Sequence, residues 1–295
     1  MAQKILQYDI VERLGEGAGS TIFAVRDPAT RKMFALKHVV RTDEKDIRFV
    51  DQMEAEFEVS KNFNHPNLRK SYDLKVNKSL LRRVTEAFLV MELVEGKALD
   101  VRPPGTLMEI LDTFIQAAQG LRAIHQMGYV HCDIKPNNII RNEKGEVKVI
   151  DFGQTAKSGT VKERIQGTPD YIAPEQVNRR PIVPQTDVYN LGATLYFALT
   201  SKPIPTLYTV HKKGENSFLM DNRIETPAQL NPKIPPVLSN LVMESISTKI
   251  EKRPADMDSV ITRLELAKHI LQKQANPAAV QATPTSIGGS EDDEV

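Results

Sequence analysis

His131-Cys132-Asp133-Ile134-Lys135-Pro136-Asn137-Asn138, followed by Asp151-Phe152-Gly153, is the stretch on which the reading of this chain turns. It places a carboxylate, an ammonium group and an amide on one short loop, with a second carboxylate a hairpin's length downstream. Asp133 can orient and deprotonate a hydroxyl, and Lys135 can neutralise a moving anionic group. Asn138 and Asp151 offer hard oxygens of the kind magnesium prefers. Phosphoryl transfer calls for that set of parts. Any one of these residues alone reads more often as surface polarity; their order and spacing carry the argument.

Working outward, Leu14-Gly15-Glu16-Gly17-Ala18-Gly19-Ser20 is a glycine-rich loop whose backbone N–H groups can approach phosphates closely. In dinucleotide-binding folds such glycines run into a helix, but here Thr21-Ile22-Phe23-Ala24-Val25 reads as a strand. Further strands are expected at Tyr8–Leu14, Thr21–Arg26, Lys32–Val40 and Ala87–Val94, all rich in β-branched or aromatic residues. One helix interrupts them over Asp46–Asn62, with apolar positions at Phe49, Val50, Met53 and Phe57, and His65-Pro66-Asn67 closing it. Beyond Val94 the pattern turns helical. Thr106–Met127 opens on a Thr106/Glu109 capping box and stops at Gly128; Thr186–Thr200, Pro236–Ser247 and Met257–Gln272 follow. The expected fold is α+β in two lobes, 1–94 and 95–274, joined through Leu93–Lys97. Residues 275–295 read by composition as a disordered tail with an acidic end.

The 295 residues suffice for two lobes around a cleft, and a formal net charge of +1 argues against nucleic acid as the main partner. A single cysteine fits a reducing compartment. The N-terminus meets charge too early for a signal-peptide core, and the longest apolar stretch, around Leu191–Thr200, is far short of the roughly 20 residues that span a bilayer. The expectation is a cytoplasmic protein with no membrane partner.

From about Tyr8 to Leu271 the chain resembles the eukaryotic-like serine/threonine protein kinases in their compact bacterial form, with His-Cys-Asp where most members carry His-Arg-Asp. The resemblance implies ATP and Mg2+ as cofactors and Ser or Thr hydroxyls of proteins as acceptors. It makes Asp133 the catalytic base, Lys135 the cation for the transferring phosphate, and Asn138 and Asp151 the metal ligands. It sets Gly15, Glu16, Gly17, Ala18, Gly19 and Ser20 around the triphosphate, with Ser20 in the third glycine slot. Lys37 of Ala35-Leu36-Lys37 would face the α and β phosphates, with a glutamate of the following helix as partner. Glu54, Glu56 and Glu58 compete, and residues two apart point about 200° away from each other, so only one can face the cleft. Counting back from His65-Pro66-Asn67 selects Glu56. Ile22 and Ala35 above and Ile140 below would sandwich the base. Glu92, Leu93 and Val94 would offer it backbone groups, behind Met91. Thr168, in the segment Gly167–Glu175, should touch Asp133 and Lys135, favouring Ser and Thr over Tyr. Glu175 should pair with Arg253, and Asp187 should cap its helix and brace the catalytic loop.

Three departures from the family stand out. Cys132 removes an arginine that many relatives neutralise with an activation-segment phosphate, so activity should not depend strictly on that phosphate, although Ser158 and Thr160 are candidate sites for one. A redox role for Cys132 is the less favoured reading. The family's apolar stack through His131 and Phe152 reaches its upper slots at Ser60 and Ser71, both small and polar. Either Val59 and Tyr72 fill the gap, or the helix docks weakly and a partner or dimer contact must complete the Lys37–Glu56 pair. Asn137 stands where basic-directed kinases often carry Glu, which weakens the case for a basic substrate preference.

Overall fold

The computed structural model describes residues 3–17, 19–212 and 224–275, so Ala18 and the acidic tail lie outside the described residues. The chain begins with an antiparallel six-stranded sheet of β1 (Lys4–Ile5), β2 (Tyr8–Gly17), β3 (Ser20–Arg26), β4 (Met33–Val40), β5 (Ser71–Lys78) and β6 (Val84–Glu92). Its spatial order is β1-β2-β3-β4-β6-β5. Helix α1 (Ile47–Ser60) packs against one face. Val50, Met53, Glu56, Val59 and Ser60 form its buried stripe, and the first two join Ala35, Val39, Ala87, Leu89 and Met91 in one core. That stripe settles the choice among the glutamates: Glu56 is buried, whereas Glu54 and Glu58 are exposed.

The second half is mainly helical. Its centre is α2 (Leu107–Gln126), buried along its length through Ile110, Leu111, Phe114, Leu121 and Ile124. The capping box is present: Glu109 N–H donates to Thr106 Oγ1 at 3.2 Å and Thr106 N–H to Glu109 Oε2 at 3.2 Å. Around α2 lie α3 (Pro174–Val177), α4 (Pro184–Thr200), α5 (Leu207–Lys212), α6 (Pro227–Leu230), α7 (Pro236–Ser245) and α8 (Met257–Ala275). A small sheet of β7 (Lys97–Ala98), β9 (Ile139–Arg141) and β10 (Val147–Val149) supports the catalytic stretch. The short strands β8 (Tyr129–Val130) and β11 (Ala156–Lys157) pair beside it.

The two halves are stitched by the segment between α1 and β5. Val59, Phe63 and Leu68 belong to the large core of the helical half, although they precede residue 94. Arg69 N–H donates to Val149 O at 3.0 Å, and Val149 N–H donates to Asn67 O at 2.8 Å. Arg69 therefore leaves the helical half pointing at the cleft. Among the described residues, no helix is long and apolar enough to cross a membrane.

Helices α4 and α7 meet at Gly192, where an added Cβ would stand 2.5 Å from Ser245 Cβ. Gly192→Ala gains about 0.5–1 kcal/mol of helix propensity, but overpacking a tight contact costs about 1–3 kcal/mol. The expected outcome is a net loss of stability by urea denaturation; a gain would show that α7 yields at this point.

Candidate active site

The catalytic loop hangs from one buried carboxylate. Asp187, in the first turn of α4, accepts from His131 N–H, Cys132 N–H and His125 Nε2, each at 2.8 Å. Burial pushes its carboxyl up, but the His125 hydrogen bond and charge pull it further down, so it lies below the ordinary Asp value. The expected brace is present and the expected helix cap is not: the loop takes Asp187, and Val183 N–H is met instead by Thr186 Oγ1 at 3.1 Å. Cys132, bonded to this carboxylate, sits at φ 68°, and Asp151 downstream at φ 61°, a region that non-glycine residues seldom adopt.

Below the bend, three predicted residues close a triangle. Lys135 Nζ donates to Asp133 Oδ2 at 2.9 Å and to Thr168 Oγ1 at 2.9 Å, while Thr168 Oγ1 donates to Asp133 Oδ1 at 2.9 Å. Asn138 Nδ2 donates to the Asp133 carbonyl at 2.8 Å, which leaves its amide oxygen free of that bond. Asp151 is 44% exposed and 3.8 Å from Lys37 Nζ. Withdrawal from bulk water raises the Asp151 carboxyl, but Lys37, His131 and Arg69 lower it more, keeping it ionised at neutral pH. An amide oxygen and an ionised carboxylate at the cleft form a hard donor set that fits magnesium, with the remaining ligands left to phosphate and water. The activation segment is held at its far end by Glu175 and Arg253, bonded twice at 2.8 and 2.9 Å and buried.

Above the cleft, Lys37 Nζ donates to Glu56 Oε2 at 2.8 Å. Burial pushes the lysine's pKa down, but Glu56 and Asp151 more than offset it, so the ammonium is the stable form. The pair is closed in the single chain, with Glu56 buried on α1. Tyr72 does not fill the gap: it is 50% exposed and packs edge-on against Phe34. Ser60 Oγ instead lies 2.6 Å from both Ser71 Oγ and the Glu56 carbonyl, forming one hydroxyl chain. The Phe152 ring is gripped by Phe63 at 4.7 Å, His131 at 5.5 Å and the Arg69 guanidinium at 5.4 Å. Arg69 Nη2 also donates to Glu56 Oε1 at 2.6 Å, and its Nη1 touches Met91 Sδ.

The nucleotide side of the cleft is partly assembled by the sheet. Ile22, Ala35, Met91 and Leu93 share one apolar cluster, and Ala35 pairs with Met91 across β4 and β6. Gly15 lies opposite Ile22 and Gly17 opposite Ser20 in the β2–β3 hairpin, with exposed Glu16 bonded to Arg13. Gly19 (φ 72°) comes so close to α1 that a Cβ would strike the Phe49 ring at 2.4 Å. Glu92 fastens the connector by accepting from Lys70 N–H and Lys148 Nζ, both at 3.0 Å. Val94 follows on the connector. Ile140 lies half-buried on β9 in the helical half, outside the cluster that holds Ile22 and Ala35.

Two residues of the site escaped the sequence reading. Arg69 gave no signal, because a lone arginine beside a strand reads as solvated. Lys162 stands two residues after Thr160, and the sequence assigns it no role. Its ammonium donates to Gln154 O, and burial pulls its pKa below lysine's ordinary value despite the charges of nearby Asp133 and Asp187. It lies near the place from which Cys132 has removed a cation. Cys132 itself is 1% exposed, and burial pushes its thiol well above the ordinary range, which removes the thiolate that redox chemistry needs.

The sequence pattern of the protein kinase domain matches residues 8–273. A probable serine/threonine-protein kinase of Clostridium acetobutylicum is 27% identical over 89% of this chain and 40% of its own length. One of Corynebacterium efficiens is 27% identical over 94% of this chain and 43% of its own. Serine/threonine-protein kinase PknA of Mycobacterium tuberculosis is 30% identical over 84% of this chain and 57% of its own. The chain thus spans about half the length of these relatives.

Asp187→Asn turns one acceptor oxygen into a donor facing backbone N–H groups, and should cost about 2–4 kcal/mol. Because the folded pKa of Asp187 is depressed, its contribution is complete above about pH 4 and is lost as pH falls through the folded value. Denaturation at a series of pH values should therefore show the wild-type advantage shrinking in acid; a constant difference would refute the assignment. Cys132 should react with a maleimide no faster than the chain unfolds, and faster labelling of native protein would mean an open thiol.

Proposed function

The chain belongs to the protein kinase family, and we propose that it transfers the γ-phosphate of ATP to Ser or Thr hydroxyls of proteins. The observation that carries this reading is the triangle of Asp133, Lys135 and Thr168, three bonds of 2.9 Å beside the cleft. In it, Asp133 receives the proton of the acceptor hydroxyl as the oxygen attacks phosphorus. Lys135 stands beside that carboxylate and balances charge gathering on the phosphoryl oxygens. Thr168 holds the second carboxylate oxygen, so the base keeps one orientation. Its position at the acceptor side suits a short hydroxyl side chain. Lys37, held by Glu56, orients the phosphates, and Gly15, Glu16, Gly17, Gly19 and Ser20 form the hairpin above them. Ile22, Ala35 and Ile140 are assigned to the base, with Met91 limiting depth and Glu92 and Val94 supplying backbone groups. Asn138 and Asp151 would hold Mg2+, which supplies charge neutralisation to the phosphates when bound.

The Lys37–Glu56 pair is closed within the chain, which supports a site that assembles without an activating partner or second copy. Cys132 leaves no arginine beside Asp133 for an added phosphate to neutralise, in keeping with activity that does not require one. The cytoplasm is the compartment proposed, where ATP and reduced thiols coexist. A silent scaffold would have no use for a metal-fitting oxygen pair beside an oriented base.

The test is incubation of the purified chain with Mg2+ and labelled ATP, beside an Asp133→Asn control. Transfer to Ser or Thr should fall by about 10²–10⁴-fold in the control. Equal label in both, or none in either with ATP still bound, would overturn the reading.

A further inference from the structure

Arg69 is a charged side chain in a place where filling would call for an apolar one. It is 4% exposed, and its guanidinium meets α1, the sheet and the Phe152 loop at once. Burying an arginine costs several kcal/mol unless it is well paired, and a shape-matched apolar residue is often as good for stability alone. Its contacts with three elements at once therefore point to position. Resting on the kinase reading, we propose that Arg69 is the positioning residue that sets the active arrangement of the cleft, holding Glu56 and the Phe152 ring together where an apolar stack is missing.

Each face of the group has a separate task. The Nη2 edge donates to Glu56 Oε1 at 2.6 Å, while Lys37 takes Oε2 at 2.8 Å, so each carboxylate oxygen has its own cation. The guanidinium carbon stands over the Phe152 ring, 5.4 Å from its centroid, and the ring's other contacts are Phe63 and His131. Phe152 adjoins Asp151, so the ring's seat fixes where that carboxylate projects. Lys37 and Asp151 act from different lobes, and Arg69 is in contact with the immediate support of each. Ser60 and Ser71, bonded to one another at 2.6 Å, are too short to reach the Phe152 ring in its place. Lysine could not substitute, since an ammonium has one charged point and no plane to stack. If Phe152 swings out, Arg69 loses its stacking partner; if α1 swings out, it loses its counter-charge. The two movements that would disable the site are thus coupled through one side chain.

The experiment compares Arg69→Leu, Arg69→Lys and the triple variant Arg69→Leu/Ser60→Leu/Ser71→Leu with wild type. Readouts are kcat, KM for ATP, and amide hydrogen exchange across α1. Arg69→Leu should lower kcat by about 10–100-fold and speed exchange in α1, with a smaller change in KM. Arg69→Lys should recover little. The triple variant, which rebuilds an apolar stack, should recover both kcat and α1 protection. Arg69→Leu with wild-type kcat and exchange would overturn the proposal, as would a folded triple variant that recovers nothing. Should Arg69→Leu fail to fold, Arg69→Gln keeps a donor without charge or stacking and decides by the same readouts. If wild type transfers no phosphate, the kinase reading fails while the exchange comparison still judges Arg69.

Discussion

A carboxylate as deeply buried as Glu56, at 1% exposure, has no water to stabilise its charge and must be met by cations of the chain. Two meet it. Lys37 comes from β4 in the sheet, and Arg69 comes from the strand edge just after the segment stitched to Val149. Since Glu56 lies on the same stripe of α1 as Val50 and Met53, satisfying its charge and burying that stripe demand the same orientation of the helix. The rest of the cleft follows from this agreement. Arg69 carries the constraint on to Phe152, and Phe152 carries it to Asp151. The two cations, Glu56 and Asp151 bring the local formal charge to zero, so a magnesium–nucleotide complex would arrive at a balanced site.

The helical half repeats the device with different partners. Asp187 ties two backbone N–H groups of the bend and His125 of α2 to one point. Glu175 and Arg253 tie the activation segment to the connection between α7 and α8, with Arg253 also donating to Gln185 O at 2.9 Å and standing 4.9 Å over Tyr189. Each buried charge lies where elements distant in sequence converge. Hydrophobic packing would hold those elements together but would tolerate sliding; paired charges with fixed donors accept one register. The bend that aims Asp133 belongs to this group, since an unusual φ at Cys132 persists only where its neighbours over-determine it.

Much of this was legible because the chemistry of the catalytic loop is contiguous: Asp133, Lys135 and Asn138 stand within one turn of chain, and loop geometry brings them together with little help. Glu56 was harder, because three glutamates share one helix; the family count chose it, and the stripe of Val50 and Met53 supplies the physical reason. Ser60 and Ser71 exposed a gap in the expected stack without showing what fills it. Of the nearest large residues in sequence, strand alternation turns Tyr72 outward, while Val59 lies in the same large core as Phe63 and Phe152. Arg69 could not be read in advance, since nothing local distinguishes an arginine folded inward from one facing water. Asp187 was misread in part for a similar reason: a helix-start carboxylate ordinarily caps, and only the tertiary arrangement reveals two stronger donors in reach.

The exchange of an apolar stack for a charged strut changes how the lobes communicate. Apolar contacts are many, individually weak and non-directional, so they tolerate sliding of one surface over another. A guanidinium bonded to a carboxylate at 2.6 Å depends on direction, and breaking that bond leaves both charges facing a poor solvent. Partly opened positions of α1, in which the bond is broken before water reaches the charges, are therefore costly. A link of that kind ties together the placement of the groups at its two ends. Here the groups are Lys37 in one lobe and Asp151 in the other, and the serines that interrupt the family pattern make Arg69 the link between them.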